Sequence, residues 1–147
     1  MAYTTINKSS LYQNQILYTG DTSSSRSITG VGFQPDLVWV KTRNAANPHL
    51  VSDAVRGTNN NLQTDSTAAA AVDYSQGWVS AFGADGYTAY AGSGGDNDIN
   101  GNGNTYVTWN WKAGTTSGIT TNASTDTTPS SYSFNQTSGI SIVKYSG

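Results

Sequence analysis

The side chains best suited to bind a ligand lie in a loop of Gly, Asn, Asp and Ser at residues 92–104. Within it, Asp96, Asp98 and Asn100 stand at every second position and a glycine follows, as in the first half of a calcium-binding loop. Carboxylate and amide oxygens are the ligands that Ca²⁺ prefers. The twelfth position, where such loops place a bidentate Glu, is Val107. Two interpretations therefore stay open, a calcium site at these three residues or a solvated loop without a cofactor.

Aromatic side chains form the second group with binding chemistry. The chain has four Trp, nine Tyr and three Phe. Trp109 and Trp111 lie on one face of an alternating segment, which is typical of the side of a strand that faces the core. Trp39 shares its face with Leu37 but also with a Lys and an Arg, so core packing and ligand stacking fit it equally, as they fit Trp78. We therefore take Trp39 and Trp78 as the candidate ligand-binding residues.

The inventory of catalytic groups predicts that the chain is not an enzyme. It has no Glu, no Cys and one histidine, His49, which lacks a Cys or Glu partner for a metal site or a triad. Glycoside hydrolysis needs two carboxylates across a cleft, and no Gly-x-Ser-x-Gly nucleophile elbow is present. Asp53 and Arg56 are three residues apart, so they form a structural pair only if a turn brings them together. No catalytic residue is predicted.

The composition favours an all-β protein with polar loops. Charged residues make up only 11% of the 147 residues, and Glu, Lys, Gln and Arg, which favour soluble helices, are scarce. Thr, Val, Tyr and Trp favour strands. The net charge of −2 gives no basis for binding nucleic acid or an anionic membrane. No segment reaches the roughly 20 apolar residues that cross a bilayer, and the N-terminus lacks a signal peptide, so we expect synthesis in a cytoplasm.

Eight segments alternate in polarity between turn residues and are predicted as strands: residues 15–19, 27–29, 37–43, 49–55, 77–82, 87–91, 105–112 and 140–145. Strands at this spacing predict a two-layer antiparallel β-sandwich or jelly roll. We divide the chain into an N-terminal arm at 1–14, a β-sandwich core at 15–113, a Thr/Ser-rich linker or surface crossing at 114–133, and a last segment at 134–147.

A short internal repeat leaves two interpretations of the last segment. Tyr-Thr-Gly at 18–20 is echoed by Tyr-Ser-Gly at 145–147. If the echo is chance in a chain rich in Ser, Thr and Gly, residues 134–147 are the closing strand. If it is a true repeat, they begin a second unit and the chain is a fragment of a longer protein.

The segment 28–43 reads I-T-G-V-G-F-Q-P-D-L-V-W-V-K-T-R and predicts a strand entered through a rigid corner. Gly30 and Gly32 permit backbone angles that other residues resist, and Pro35 fixes its own φ.

The order of several motifs resembles that in virion structural proteins of tailed bacteriophages, especially marine ones. The motifs are Tyr-Thr-Gly at 18–20, the segment 28–41, Asp-Ala-Val-Arg-Gly at 53–57, Asp-Gly-Tyr-Thr at 85–88 and Tyr-Val-Thr-Trp-Asn-Trp-Lys-Ala at 106–113. The resemblance covers residues 15–113. The acidic loop before residue 105 is longer than the usual pattern.

This resemblance implies a concanavalin-A-like jelly roll on the virion surface, with no catalytic motif. We expect a capsid decoration (cement) module whose partners are major capsid or tail proteins, and a homo-oligomer, with a trimer natural at quasi-threefold positions. The alternative is a tail-fibre or receptor-binding domain that recognises host glycan through Trp39, Trp78 or the 92–104 loop.

Overall fold

The computed structural model describes residues 5–70, 75–94, 98–121 and 127–146. A short 3-10 helix, Ser9–Leu11, precedes ten strands in this part of the chain. They are β1 (Gln13–Thr19), β2 (Arg26–Ile28), β3 (Leu37–Thr42), β4 (Leu50–Asp53), β5 (Leu62–Gln63), β6 (Trp78–Gly83), β7 (Gly86–Tyr90), β8 (Thr105–Trp111), β9 (Ser131–Asn135) and β10 (Ile140–Lys144). The eight predicted strands are confirmed to within about two residues at each end, whereas β5 and β9 are absent from the prediction.

Two antiparallel sheets pack face to face, which confirms the all-β sandwich. One has the strand order β1-β8-β3-β4-β5 and the other β2-β7-β6. Both sheets contribute to one core, whose buried members are Ile28, Val38, Val40, Val79, Tyr87, Ala89, Ile99 and Tyr106. Full burial of a large apolar side chain contributes about 1.5–3 kcal/mol, so this cluster fixes how the two sheets face each other.

In the five-stranded sheet, β8 buries the face opposite to Trp109 and Trp111. On the inward face, Tyr106, Thr108 and Asn110 are fully buried. Trp109 and Trp111 lie on the outward face and are half-buried, so the prediction that they face the core is wrong. The burial of the Asn110 amide is offset in part by hydrogen bonds: its nitrogen donates to a main-chain oxygen of β1 and to Thr108 Oγ1, each at 3.1 Å.

The glycine corner before β3 is held by an aspartate from the other sheet. Gly30 and Gly32 have φ angles of 88° and 85°, in the left-handed region that glycine adopts without strain. Asp85, in the turn between β6 and β7, accepts the main-chain N–H groups of Gly30 at 3.0 Å and of Gly32 at 2.6 Å. These bonds, the one from Gly32 above all, lower the pKa of the Asp85 carboxyl.

We expect the Asp85→Asn variant to be less stable than the parent near neutral pH, because an amide oxygen replaces only one of the two accepting oxygens. Since the pKa of Asp85 is lower when folded than when unfolded, its stabilisation is full above the unfolded pKa and is lost as the pH falls through the folded one. Urea unfolding across the acid range measures this. The parent and variant curves should converge at low pH, and a constant difference between them would contradict the assignment.

The strands β9 and β10 form a separate hairpin beside the outward face of the five-stranded sheet. Ile140 and Trp111 line a cavity of about 210 Å³ between them, and Ile142 and Leu37 line another of about 430 Å³. The chain between β8 and β9 is tied back, because Thr115 and Phe134 exchange main-chain hydrogen bonds. Strand β9 thus crosses the boundary predicted between the linker and the last segment.

Candidate functional site

The outward face of the five-stranded sheet carries an apolar patch beside the β9–β10 hairpin. We call the side chains of Leu17, Trp39, Val107 and Trp109 the outer aromatic patch. The strand register brings them together, since Leu17 lies opposite Val107 and Trp39 lies opposite Trp109. Leu17 is 64% exposed, and the other three are half-buried. A sandwich sheet usually presents polar side chains on its outward face, so we take the patch as a candidate binding surface.

The two tryptophan rings of the patch pack against each other. Their centroids are 5.3 Å apart and the ring planes are tilted by 43°, which is within the range that aromatic pairs prefer. The Trp39 indole nitrogen is buried and has no hydrogen-bond partner among the described residues. The contact with Trp109, rather than a hydrogen bond, holds this ring. Trp39 faces outward as its proposed ligand-binding role requires, and that role stays a prediction.

Cations border the outer aromatic patch. Lys41 lies opposite Val107 on the outward face of β3, and Arg43 follows two residues later. The strands β1, β3 and β8, which the structure describes in full, contain no carboxylate. On the next strand, the buried Asp53 is paired with Arg56. Lys41 and Arg43 therefore give the described border of the patch a positive charge.

Trp78 lies on the other sheet, where it stacks on Tyr90. The ring centroids are 4.2 Å apart and the planes differ by 20°. Trp78 is only 9% exposed, and Tyr90 is half-buried. Both residues line a depression of about 390 Å³, together with Thr22, Ser24 and Ser93 among others. Of the two rings, Tyr90 is the more accessible to a ligand.

Two of the three candidate calcium ligands, Asp98 and Asn100, lie in the described part of the chain. They contact different parts of the molecule. Asp98 is fully buried and lines a cavity of about 180 Å³ with Asn61 and other residues near β4 and β5. Asn100 is also fully buried, and its amide group donates to Asp21 Oδ1 at 3.0 Å and to the main-chain oxygen of Ser23 at 3.1 Å. Asp96 lies outside the described residues. The amide of Asn100 thus holds the loop after β1.

The remaining sequence candidates have structural contacts. Asp53 and Arg56 form an ion pair across the turn that follows β4, and Asp53 Oδ1 also accepts the main-chain N–H of Arg56 at 2.8 Å. The main-chain N–H of His49 donates to Asp65 Oδ1 at 3.2 Å. Within the described ranges, no three His, Cys, Asp or Glu residues lie together in a group that could hold a metal ion.

The outer aromatic patch is the feature that sequence reasoning missed. Its four members come from three strands, and only the strand register shows that they are neighbours. A signal was present in β8, where both faces carry aromatic residues: Tyr106 on one, Trp109 and Trp111 on the other. A strand with two apolar faces is typical of a sheet that is covered on both sides.

A comparison with protein-family models finds a match, and it includes both sheets and the β9–β10 hairpin. A family model described as "Domain of unknown function (DUF7483)" matches residues 8–147. Neither a curated protein nor a solved structure matches the chain. In the described residues, the search for a long apolar helix that could cross a membrane found none.

Proposed function

Because the chain belongs to the DUF7483 family of domains of unknown function, we propose a function from its own surfaces and from the resemblance of its motif order to that of phage virion proteins. We propose that it is a non-enzymatic structural module of a tailed-bacteriophage virion. In this proposal it is displayed on the particle as a capsid decoration module and binds other virion proteins through the outer aromatic patch.

The outer aromatic patch is the observation that carries the proposal. The inward face of the five-stranded sheet already forms the core, so the patch adds nothing to that core. Covering its exposed part by a partner is favourable by about 25 cal/mol per Å² of apolar surface. Tryptophan side chains that are already held in place are typical anchors of protein interfaces, because little conformational entropy is lost when they bind.

The partner that fits the patch is a different protein with carboxylates beside an apolar strip. Lys41 and Arg43 lie at the border of the patch. Two copies of this chain that met patch to patch would bring these cations together, which is unfavourable. An acidic rim on a capsid or tail protein would pair with them.

The proposal of a virion role is supported by the resemblance of the motif order along residues 15–113 to that of phage virion proteins. A polar surface of low net charge suits a protein that is present in many copies on one particle. The homo-oligomeric state and the threefold arrangement expected of a decoration protein remain predictions of that resemblance.

We expect Trp39→Ala to weaken binding to virions that lack this protein by about 30-fold, since truncation of an interface tryptophan commonly costs about 2 kcal/mol. Co-sedimentation of the purified chain with such particles measures the affinity. The matched control is Ile119→Ala, which removes another exposed apolar side chain outside the patch. Equal binding by the parent and both variants would contradict docking through the patch.

A receptor-binding function is the second candidate, and the Trp78–Tyr90 depression favours it. An aromatic ring beside the hydroxyl groups of Thr22, Ser24 and Ser93 suits a sugar, which stacks its apolar face and hydrogen-bonds its edge. A glycan array with the isolated chain tests this. Specific binding that is lost in Tyr90→Ala would support recognition of a host glycan at this depression, whereas loss in Trp39→Ala alone would place the glycan at the outer aromatic patch.

The position of the protein on the particle separates the two candidates. Cryo-electron microscopy of the virion should show many copies over the capsid lattice if the chain is a decoration module. A few copies at fibre or tail tips would instead favour receptor binding. Absence of the chain from purified virions would overturn both.

A further inference from the structure

Strand β1 is a long edge strand of the five-stranded sheet. Among the described residues it pairs with β8 alone. The hydrogen bonds at its two ends, from Lys112 N–H to the Tyr12 oxygen and from Gly20 N–H to the Asn104 oxygen, involve even-numbered residues of this segment. In an antiparallel pair such groups alternate. The main-chain groups of the odd-numbered residues of β1 therefore point away from β8, toward the free edge.

This edge lacks the usual protection against pairing. Natural edge strands are short, bulged, or carry a charge or a proline. Strand β1 reads Gln-Asn-Gln-Ile-Leu-Tyr-Thr, has no charge and no proline, and pairs with β8 in unbroken register. The opposite edge of the same sheet, β5, is only two residues long. The two edges thus differ in their capacity to add a strand.

The free pairing groups are centred on Leu17. The N–H of Gln15 is already bound, because it donates to Asn14 Oδ1 at 3.0 Å, while the Asn14 amide donates to the Val31 oxygen at 3.1 Å. Leu17 and Thr19 are the next odd-numbered residues. At 64% exposure, Leu17 has, together with Tyr145, the highest exposure among the large apolar side chains that the structure describes.

We propose that the free edge of β1 pairs with β1 of a second copy of this chain. The two strands run antiparallel about a twofold axis at Leu17, and two five-stranded sheets become one continuous sheet. Each Leu17 exchanges main-chain hydrogen bonds with its counterpart, and the N–H of each Thr19 donates to the oxygen of Gln15 in the other copy.

A second copy fits this edge because the strand is complementary to itself. An uncharged strand brings no like charges together when it pairs with its own copy. The axis places two exposed leucines in contact and removes apolar surface from water. The two Lys41 side chains stay apart: at about 4.8 Å per strand, the two β3 strands are about 24 Å from each other, beyond the screening length at physiological salt.

Disulfide trapping gives a direct test, since the chain has no cysteine. Residues directly opposite each other in a hydrogen-bonded antiparallel pair have Cα atoms about 5.5 Å apart, within the span of a disulfide. Leu17→Cys should therefore form a covalent dimer under mild oxidation. Val143→Cys, at an exposed site on β10 (46% exposed, against 64% for Leu17), should remain mostly uncrosslinked. Faster crosslinking at β10 than at β1 would overturn the proposal.

Self-association in solution gives the second test. Light scattering should show a mass twice the 15.5 kDa of the chain, and Leu17→Lys should weaken the dimer at least about 100-fold because it opposes two ammonium groups. Val107→Gln changes the outer aromatic patch without touching the edge, so it should weaken binding to virions and leave the dimer intact. This twofold pair replaces the threefold arrangement that the phage resemblance implies. A monomeric or trimeric parent, or a Leu17→Lys variant that dimerises fully, would therefore overturn edge pairing whatever the virion partner is.

Discussion

The Gly86→Ala variant is expected to lose about 3 kcal/mol or more of its free energy of unfolding. Gly86 begins β7 with a φ angle of 148°, and a Cβ atom there would overlap the main-chain oxygen of Ile28. Ile28 belongs to β2, which is hydrogen-bonded to β7 from the next residue onward. The main chains of β2 and β7 cannot move apart without breaking the hydrogen bonds between these two strands. Chemical denaturation of both proteins measures the loss, and partial unfolding at room temperature would agree with it.

Gly57→Ala is the matched control for this close approach. Gly57 also has a positive φ, 87°, but a Cβ atom there would meet nothing within 4 Å. Its substitution by alanine should cost only the backbone penalty of about 1–2 kcal/mol. A loss in Gly86→Ala no larger than that in Gly57→Ala would show that the main chains of β2 and β7 do not approach as closely as the structure has them.

Gly86 shows what the sequence can and cannot predict in this fold. The hairpin around residues 83–86 is predictable because Gly and Asp at those positions favour a tight turn. The need for glycine at its last position depends on Ile28, which is distant in the chain and becomes a neighbour only when β2 pairs with β7. The same holds for Asp85, whose carboxylate binds the glycine corner before β3. Local patterns predict the elements, and tertiary pairing decides which residues are indispensable.

The outward position of Trp109 could not be predicted from the sequence, for a different reason. Alternation divides a strand into two faces but does not say which one is buried. In β8 the face with Thr108 and Asn110 is less apolar, yet it is the inward one. Hydrogen bonds of Asn110 to β1 and to Thr108 offset the burial of its amide. The candidate surface could therefore be found only from the structure, although Trp39 could be named from the sequence.

Asn100 is a calcium ligand in one of the two interpretations of the 92–104 loop, and in the structure its amide group donates to the loop after β1. Its amide group bonds to Asp21 and Ser23, and its side-chain oxygen accepts the N–H of Asp21 at 3.2 Å. Asp21 in turn binds the main chain and hydroxyl of Ser23 and pairs with Arg26 at 3.1 Å. These bonds, those from Ser23 first, lower the pKa of Asp21 to about 2, so Asp21 is ionised beside the amide. A sequence motif of alternating oxygens cannot distinguish a donor from a ligand.

Asn100→Asp is expected to lower the free energy of unfolding by about 3 kcal/mol near neutral pH. The change replaces a buried donor by an anion that faces the Asp21 carboxylate at 3.0 Å and the oxygen of Ser23. The introduced carboxyl should have a raised pKa when folded, so the loss should shrink as the pH falls and the group regains a proton to donate. Thermal and urea unfolding over a pH series measure this.

Asn102→Asp is the matched control, because it adds the same charge to the same loop at an exposed position. Its stability should stay within about 0.5 kcal/mol of the parent. The stability of Asn100→Asp with and without added Ca²⁺ distinguishes a calcium ligand from a hydrogen-bond donor at this position. If Asn100 is a calcium ligand, a carboxylate in its place strengthens the site, and added Ca²⁺ should restore the stability of Asn100→Asp. If its role is to donate to Asp21 and Ser23, Ca²⁺ leaves the variant as unstable as it is without the ion, which is the result we expect.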